Sequence, residues 1–191
     1  MKSPLLLSAV LSLAVAHVGC SAAPEALADD DAPLSAARSD ATIEAELRAA
    51  VQGALYISEA DYPFEVVHAP LPQGTRSLTA ELLQERLATY VDRHADADKP
   101  LLELKSMTKS FAAWRHGFAT CRDHEGAYPE QCPRISRINA ALAKNLRGVR
   151  VYYFGREGEE GNVEGTTVSI FVVGVTPQGN LAGVWTLAAW T

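Results

Sequence analysis

The sequence has no excess of positive charge. It holds 17 Lys+Arg against 23 Asp+Glu, a formal net charge of −6. That balance argues against direct binding of nucleic acid or of an anionic membrane surface, which both need a basic face. It suits a partner with a basic groove, and equally a surface whose charge only aids solubility. Long apolar runs are scarce, and the one from Pro4 to Val18 is too short to span a bilayer. Catalytic motifs are missing too. The chain has no Gly-x-Ser-x-Gly, no His-Glu-x-x-His, no Gly-x-x-x-x-Gly-Lys-Ser/Thr and no Cys-x-x-Cys. His116, Cys121, His124 and Cys132 cluster in sequence, but their spacing fits no standard zinc pattern. Glu157, Glu159 and Glu160 lack the regular alternation of oxygen ligands that a calcium loop needs. No internal repeat is visible. These absences point away from an enzyme.

What is present begins with an export signal. Lys2 followed by the apolar run reads as a signal peptide over residues 1–20. Val18-Gly19-Cys20-Ser21 resembles a lipoprotein box, with Cys20 lipidated after cleavage; ordinary cleavage near Ala22 or Ala23 is the alternative. The expected location is the periplasm or the outer membrane, with secretion as the alternative. Membrane contact would run only through the lipid anchor. Removing the first 19 residues takes away only Lys2 among the charges and moves the net charge from −6 to −7. With Cys20 carrying lipid, Cys121 and Cys132 remain as a pair in an oxidising compartment, so a disulfide is expected between them. Closing so short a loop stabilises by about 2–3 kcal/mol in the chain-entropy estimate.

Residues 21–38 are rich in Ala, Pro and Asp and read as a flexible tether. A folded domain is expected over 39–191. Ser39-Asp40 is a good helix start, with Ile43, Leu47, Ala50, Val51 and Ala54 at helical spacing behind it. Phe64–His68 reads as a strand and Thr79 as the cap of a second helix. A short extended piece is expected at Leu101–Leu104. Phe111, Trp114 and Phe118 fall at helical spacing, which more often marks core than a binding stripe. Pro133 suits the first residue of another helix, Val149–Phe154 a strand, and Gly155–Gly165 a polar loop. Two β-branched-rich runs around Pro177-Gln178-Gly179-Asn180 then form a terminal hairpin. The mixture predicts an α+β fold with a mainly antiparallel sheet covered by helices.

The carboxyl end has its own interest. The second run of the hairpin continues to Trp190 and Thr191, whereas most domains fray into a polar tail. A carboxylate fixed at the end of a strand can ligand a metal or pair with an arginine. Trp190, beside the chain end, either anchors an interface or packs in the core.

Two segments carry a resemblance. Leu55-Tyr56-Ile57-Ser58-Glu59-Ala60-Asp61-Tyr62-Pro63-Phe64-Glu65-Val66 resembles the amino-terminal signature of the nuclease A inhibitor family. Val173-Gly174-x-Thr176-Pro177-x-Gly179-Asn180-Leu181-Ala182-Gly183, running to Thr191, resembles its carboxyl end. The resemblance spans roughly residues 40–191, with a longer and divergent middle at about 70–134. It implies an α/β/α sandwich that binds and blocks a sugar-non-specific, magnesium-dependent endonuclease of the ββα-metal type. It assigns Glu59 to partner contact and the carboxylate of Thr191 to the partner's magnesium. The family's central-loop tryptophan has Tyr128 or Trp114 as its counterpart. No cofactor of its own is implied, and the free protein is expected to be a monomer. The alternative is an envelope lipoprotein of the same fold that binds a different protein or a small ligand.

Overall fold

The computed structural model describes residues 38–75, 77–91, 105–118, 128–157 and 163–190. The signal segment, Cys20, the tether to residue 37, Leu101–Leu104, Cys121, His124, Glu159, Glu160 and Thr191 lie outside the described residues.

Helix α1 spans Asp40–Val51. Ser39 caps it, its hydroxyl accepting from the Thr42 N–H at 3.3 Å. The helix stops at Gly53, which takes the left-handed φ of 68°. Its last carbonyls are then met from helix α4, Gln131–Asn145. Arg137 donates to Ala50 O at 3.2 Å and Gln52 O at 3.0 Å, and Arg134 donates to Gly53 O. Cations at a helix carboxyl end also complement its dipole. Helix α4 begins two residues before Pro133, the expected start. Proline is tolerated in a first turn because its missing N–H has no intrahelical partner there.

The sheet has five strands, all antiparallel, in the order β3-β7-β6-β5-β4. They are β3 Glu65–Ala69, β4 Lys105–Ser110, β5 Arg147–Glu157, β6 Val163–Val175 and β7 Leu181–Trp190. A separate two-stranded ribbon pairs β1 Leu55–Tyr56 with β2 Tyr62–Pro63. Alternate residues of a strand face opposite sides. Val151, Tyr153, Ile170, Val172 and Val184 pack under α1, α4 and helix α3, Phe111–Phe118. Tyr152, Phe154, Phe171, Val173 and Trp185 pack under helix α2, Ala80–Val91. Both faces are covered, which makes the expected α/β/α sandwich. Tyr152 ties the second face together, its hydroxyl donating to Leu78 O at 2.8 Å.

The terminal hairpin forms as its turn residues dictate. Thr176 N–H donates to Asn180 O at 2.8 Å and Gly179 N–H to Thr176 O at 2.9 Å, with Gly179 at φ 85°. One strand was not foreseen, and one expectation needs correction. The fourth strand, Lys105–Ser110, is a mostly exposed polar edge strand with no apolar alternation to betray it. The loop expected at Gly155–Gly165 is shorter, because Arg156 pairs with Glu164 and Glu157 with Val163. Backbone pairing carries the hairpin through residues whose side chains look like loop.

At the end of the sheet where β3 finishes, Asp40 gathers a polar cluster. Its Oδ2 accepts from Asn180 Nδ2 at 2.6 Å and lies 3.2 Å from His68 Nε2. Burial alone would raise the Asp40 carboxyl, but hydrogen bonds from Asn180, Thr176 and His68 outweigh it and hold the group below its ordinary 3.8. A depressed carboxylate contributes stability that is present above its unfolded pKa and is lost as pH falls through the folded value. The chemical-denaturation midpoint should therefore drop below about pH 4, and Asp40→Asn should drop less steeply over the same range.

Candidate functional site

The two resembling segments meet in space. The ribbon β1–β2 carries the loop Ile57–Asp61, and this loop lies against the end of β7. Ala189 N–H donates to Ser58 Oγ at 3.1 Å, and Glu59 N–H donates to Ala189 O at 3.4 Å. One limb further down, the Thr186 hydroxyl donates to Pro63 O at 3.1 Å. Glu59 is exposed, as is Asp61. Trp190 is the last residue of β7, its backbone paired with Gly165.

The ribbon stands on aromatic rings. Tyr56 stacks on Trp114 with centroids 6.0 Å apart and 18° between planes. Phe64 meets Tyr56 edge-on at 6.4 Å. Trp114 is 5 % exposed, and its indole N–H donates to Asn139 Oδ1 at 3.1 Å. Burial and the neighbouring Tyr153 push the Tyr56 phenol up; burial pushes Tyr153 up to about 12. Both therefore remain neutral packing groups at physiological pH. Trp114 is core, and it supports the site from beneath without reaching the surface.

Tyr128 is joined to the same region by a short chain of bonds. It is 37 % exposed, and its carbonyl accepts from Gln131 N–H at 3.0 Å. The Gln131 side chain accepts in turn from Leu55 N–H at 2.9 Å, at the foot of the ribbon. Tyr128, Glu59 and the β7 end thus belong to one end of the molecule. Glu130, also exposed, lies beside Tyr128 at the start of α4.

The family model described as nuclease A inhibitor-like protein matches residues 41–191. The chain belongs to the nuclease A inhibitor-like family. No curated protein matches it. Membership in the nuclease A inhibitor-like family points to a nuclease as partner in general terms.

Other chemistry finds little support. Among the described residues, no three His, Cys, Asp or Glu side chains are placed to hold a metal. His116 is exposed on α3 and lines a groove with Arg115, Ser136 and Asn139; none of the described lining residues is a carboxylate. The sequence reading missed Ser58, Thr186 and Gln131, which join the ribbon to β7 and α4. Ser58 stood inside the quoted Ser-Glu signature, but no spacing marks a side chain that bonds a backbone 131 residues away. Because Trp114 fills the space beneath the ribbon, Trp114→Ala should destabilise the fold by about 3–5 kcal/mol in urea titration.

Proposed function

We propose that the protein binds and blocks a secreted, sugar-non-specific, magnesium-dependent endonuclease of the ββα-metal type. The observation that carries this reading is the pair of hydrogen bonds, one from the Ala189 N–H to the Ser58 hydroxyl and one from the Glu59 N–H to the Ala189 carbonyl, that holds the Ser58-Glu59 loop on β7. Thr191 is two residues beyond Ala189, so the chain between them reaches at most about 7 Å. Its carboxylate is directed at the partner's magnesium, where it takes the place of a phosphate oxygen. Glu59 pairs with an arginine of the same site. Trp190 and Tyr128 pack around these charges and exclude water. The net charge of −6 favours rapid encounter with a basic groove. The chain is a binding protein and not an enzyme. It needs no cofactor of its own, binds no nucleic acid directly and is a monomer when free.

Export belongs to the same proposal. Residues 1–20 direct the chain out, Cys20 takes the lipid, and residues 21–38 tether the domain at the periplasmic or outer-membrane surface. A Cys121–Cys132 bridge suits that oxidising setting, and the disulfide-bonded state of Cys132 supports it.

A second reading keeps the fold and changes the partner, to another envelope protein or a small ligand. What favours it is the burial of Trp114, which leaves Tyr128 to stand where the family has a central-loop tryptophan.

Titrating residues 38–191, with an unextended carboxyl end, against a magnesium-dependent non-specific nuclease separates the two. DNA hydrolysis should stop at a one-to-one ratio. Adding a few residues after Thr191 should abolish inhibition. Glu59→Ala should weaken it by about 2–5 kcal/mol if the charge pair is desolvated. Absence of inhibition across several such nucleases would move the assignment to the second reading.

A further inference from the structure

Strand β7 outruns one of its neighbours. β3 pairs with it from Ala69↔Leu181 only to Glu65↔Trp185, whereas β6 remains paired as far as Gly165↔Trp190. In an antiparallel strand, alternate residues direct their backbone N–H and C=O to opposite edges. Past Trp185, the edge that faced β3 therefore needs other partners for those groups. At Ala189 the partners come from the loop: the Ser58 hydroxyl for the N–H and the Glu59 amide for the C=O.

The two contacts are not equal. The Glu59 N–H to Ala189 O distance is 3.4 Å, long for an amide hydrogen bond. Ala189 N–H to Ser58 Oγ is 3.1 Å, and the same hydroxyl donates to Ala60 O at 2.6 Å. One oxygen thus accepts from the strand and donates across Glu59 to the far side of the loop, a dual role open to a hydroxyl. The ribbon beneath has two residues per strand, a length that is marginal without outside support.

We propose that Ser58 is a positioning residue for inhibition: its hydroxyl clasps the Ile57–Asp61 loop to Ala189 and sets the spacing between the Glu59 carboxylate and the end of β7. The functional half of this inference rests on the inhibitor reading; the clasp itself does not. A partner that engages Glu59 and the strand end together requires one separation between them. With the clasp in place that separation exists before binding. Without it, the loop must be ordered during binding, which weakens affinity without removing any group that touches the partner.

The test uses the mature chain with Ser58→Ala and Ser58→Thr, read in two ways. Amide hydrogen exchange of the free protein reports on the clasp, and nuclease titration reports on its use. In Ser58→Ala, the Ala189 amide should exchange about tenfold faster, and the inhibition constant should rise by about tenfold. The Val172 and Val184 amides should keep their protection. Ser58→Thr, which retains a hydroxyl, should restore both values toward wild type. Glu59→Gln should cost less on the Ser58→Ala background than alone, because the two act as a unit.

Unchanged Ala189 exchange in Ser58→Ala would overturn the clasp. Faster exchange at Val172 and Val184 as well would reduce Ser58 to a general stabiliser and overturn its positioning role. So would weakened inhibition that Ser58→Thr fails to restore. If the wild-type chain inhibits no nuclease, the inhibitor reading falls by itself, and the exchange measurement still decides whether the clasp exists.

Discussion

The pairing of β7 on both of its edges is the constraint on which the rest depends. One edge bonds to β6 along the strand, and the other bonds first to β3 and then to the Ser58-Glu59 loop. The close approach to β6 is built into the residues. At Gly183, opposite Val173, an added Cβ would lie 2.2 Å from Val172 O, so no side chain fits there without moving the backbone. The interior strand then buries Ala182, Val184 and Ala188 on one face and Leu181, Trp185 and Leu187 on the other. Both helical layers close on a sheet that β7 holds together.

The two ends of the sandwich use their polar groups differently. Near the turn at Thr176–Asn180, charged side chains are tied to one another and to the frame: Asp40 meets Asn180 and His68, and Glu46 meets Arg38, Lys144 and Asn145. These bonds fasten α1 to the sheet and to α4. At the other end, Glu59, Asp61 and Glu130 are exposed, and the fastening is by aromatic packing together with the Ser58 and Glu59 bonds to Ala189. The rigid rings lie below, and the exposed Glu59 and Asp61 lie above them on the loop.

The elements legible in the sequence were those whose signals are local. The Ser39 cap, the apolar periods of α1 and α4 and the Pro-Gln-Gly-Asn turn each specify their own structure within a few residues. Strand β4 was not legible, because an edge strand faces water and Lys105–Ser110 has no apolar alternation. The outer rungs of β5 and β6 were hidden for a related reason: Arg156–Glu164 and Glu157–Val163 pair through backbone, which side-chain identity does not report. Glu59 was marked by its motif, but its closeness to β7 was not. That closeness depends on a serine hydroxyl meeting an amide 131 residues later. Only the assembled sheet brings them together.

The order in which the strands leave the ribosome has a consequence. Among the described residues, the strand that joins β3 to β6 follows every other strand. While the earlier residues emerge, β3 has no partner and both cores lack one wall. Contacts this distant in sequence form slowly and only after a large loop closes. The nascent sheet therefore stays open until β7 arrives. Folding and the display of the β7 end become a single event, so a chain that has not yet folded cannot present the surface it would use.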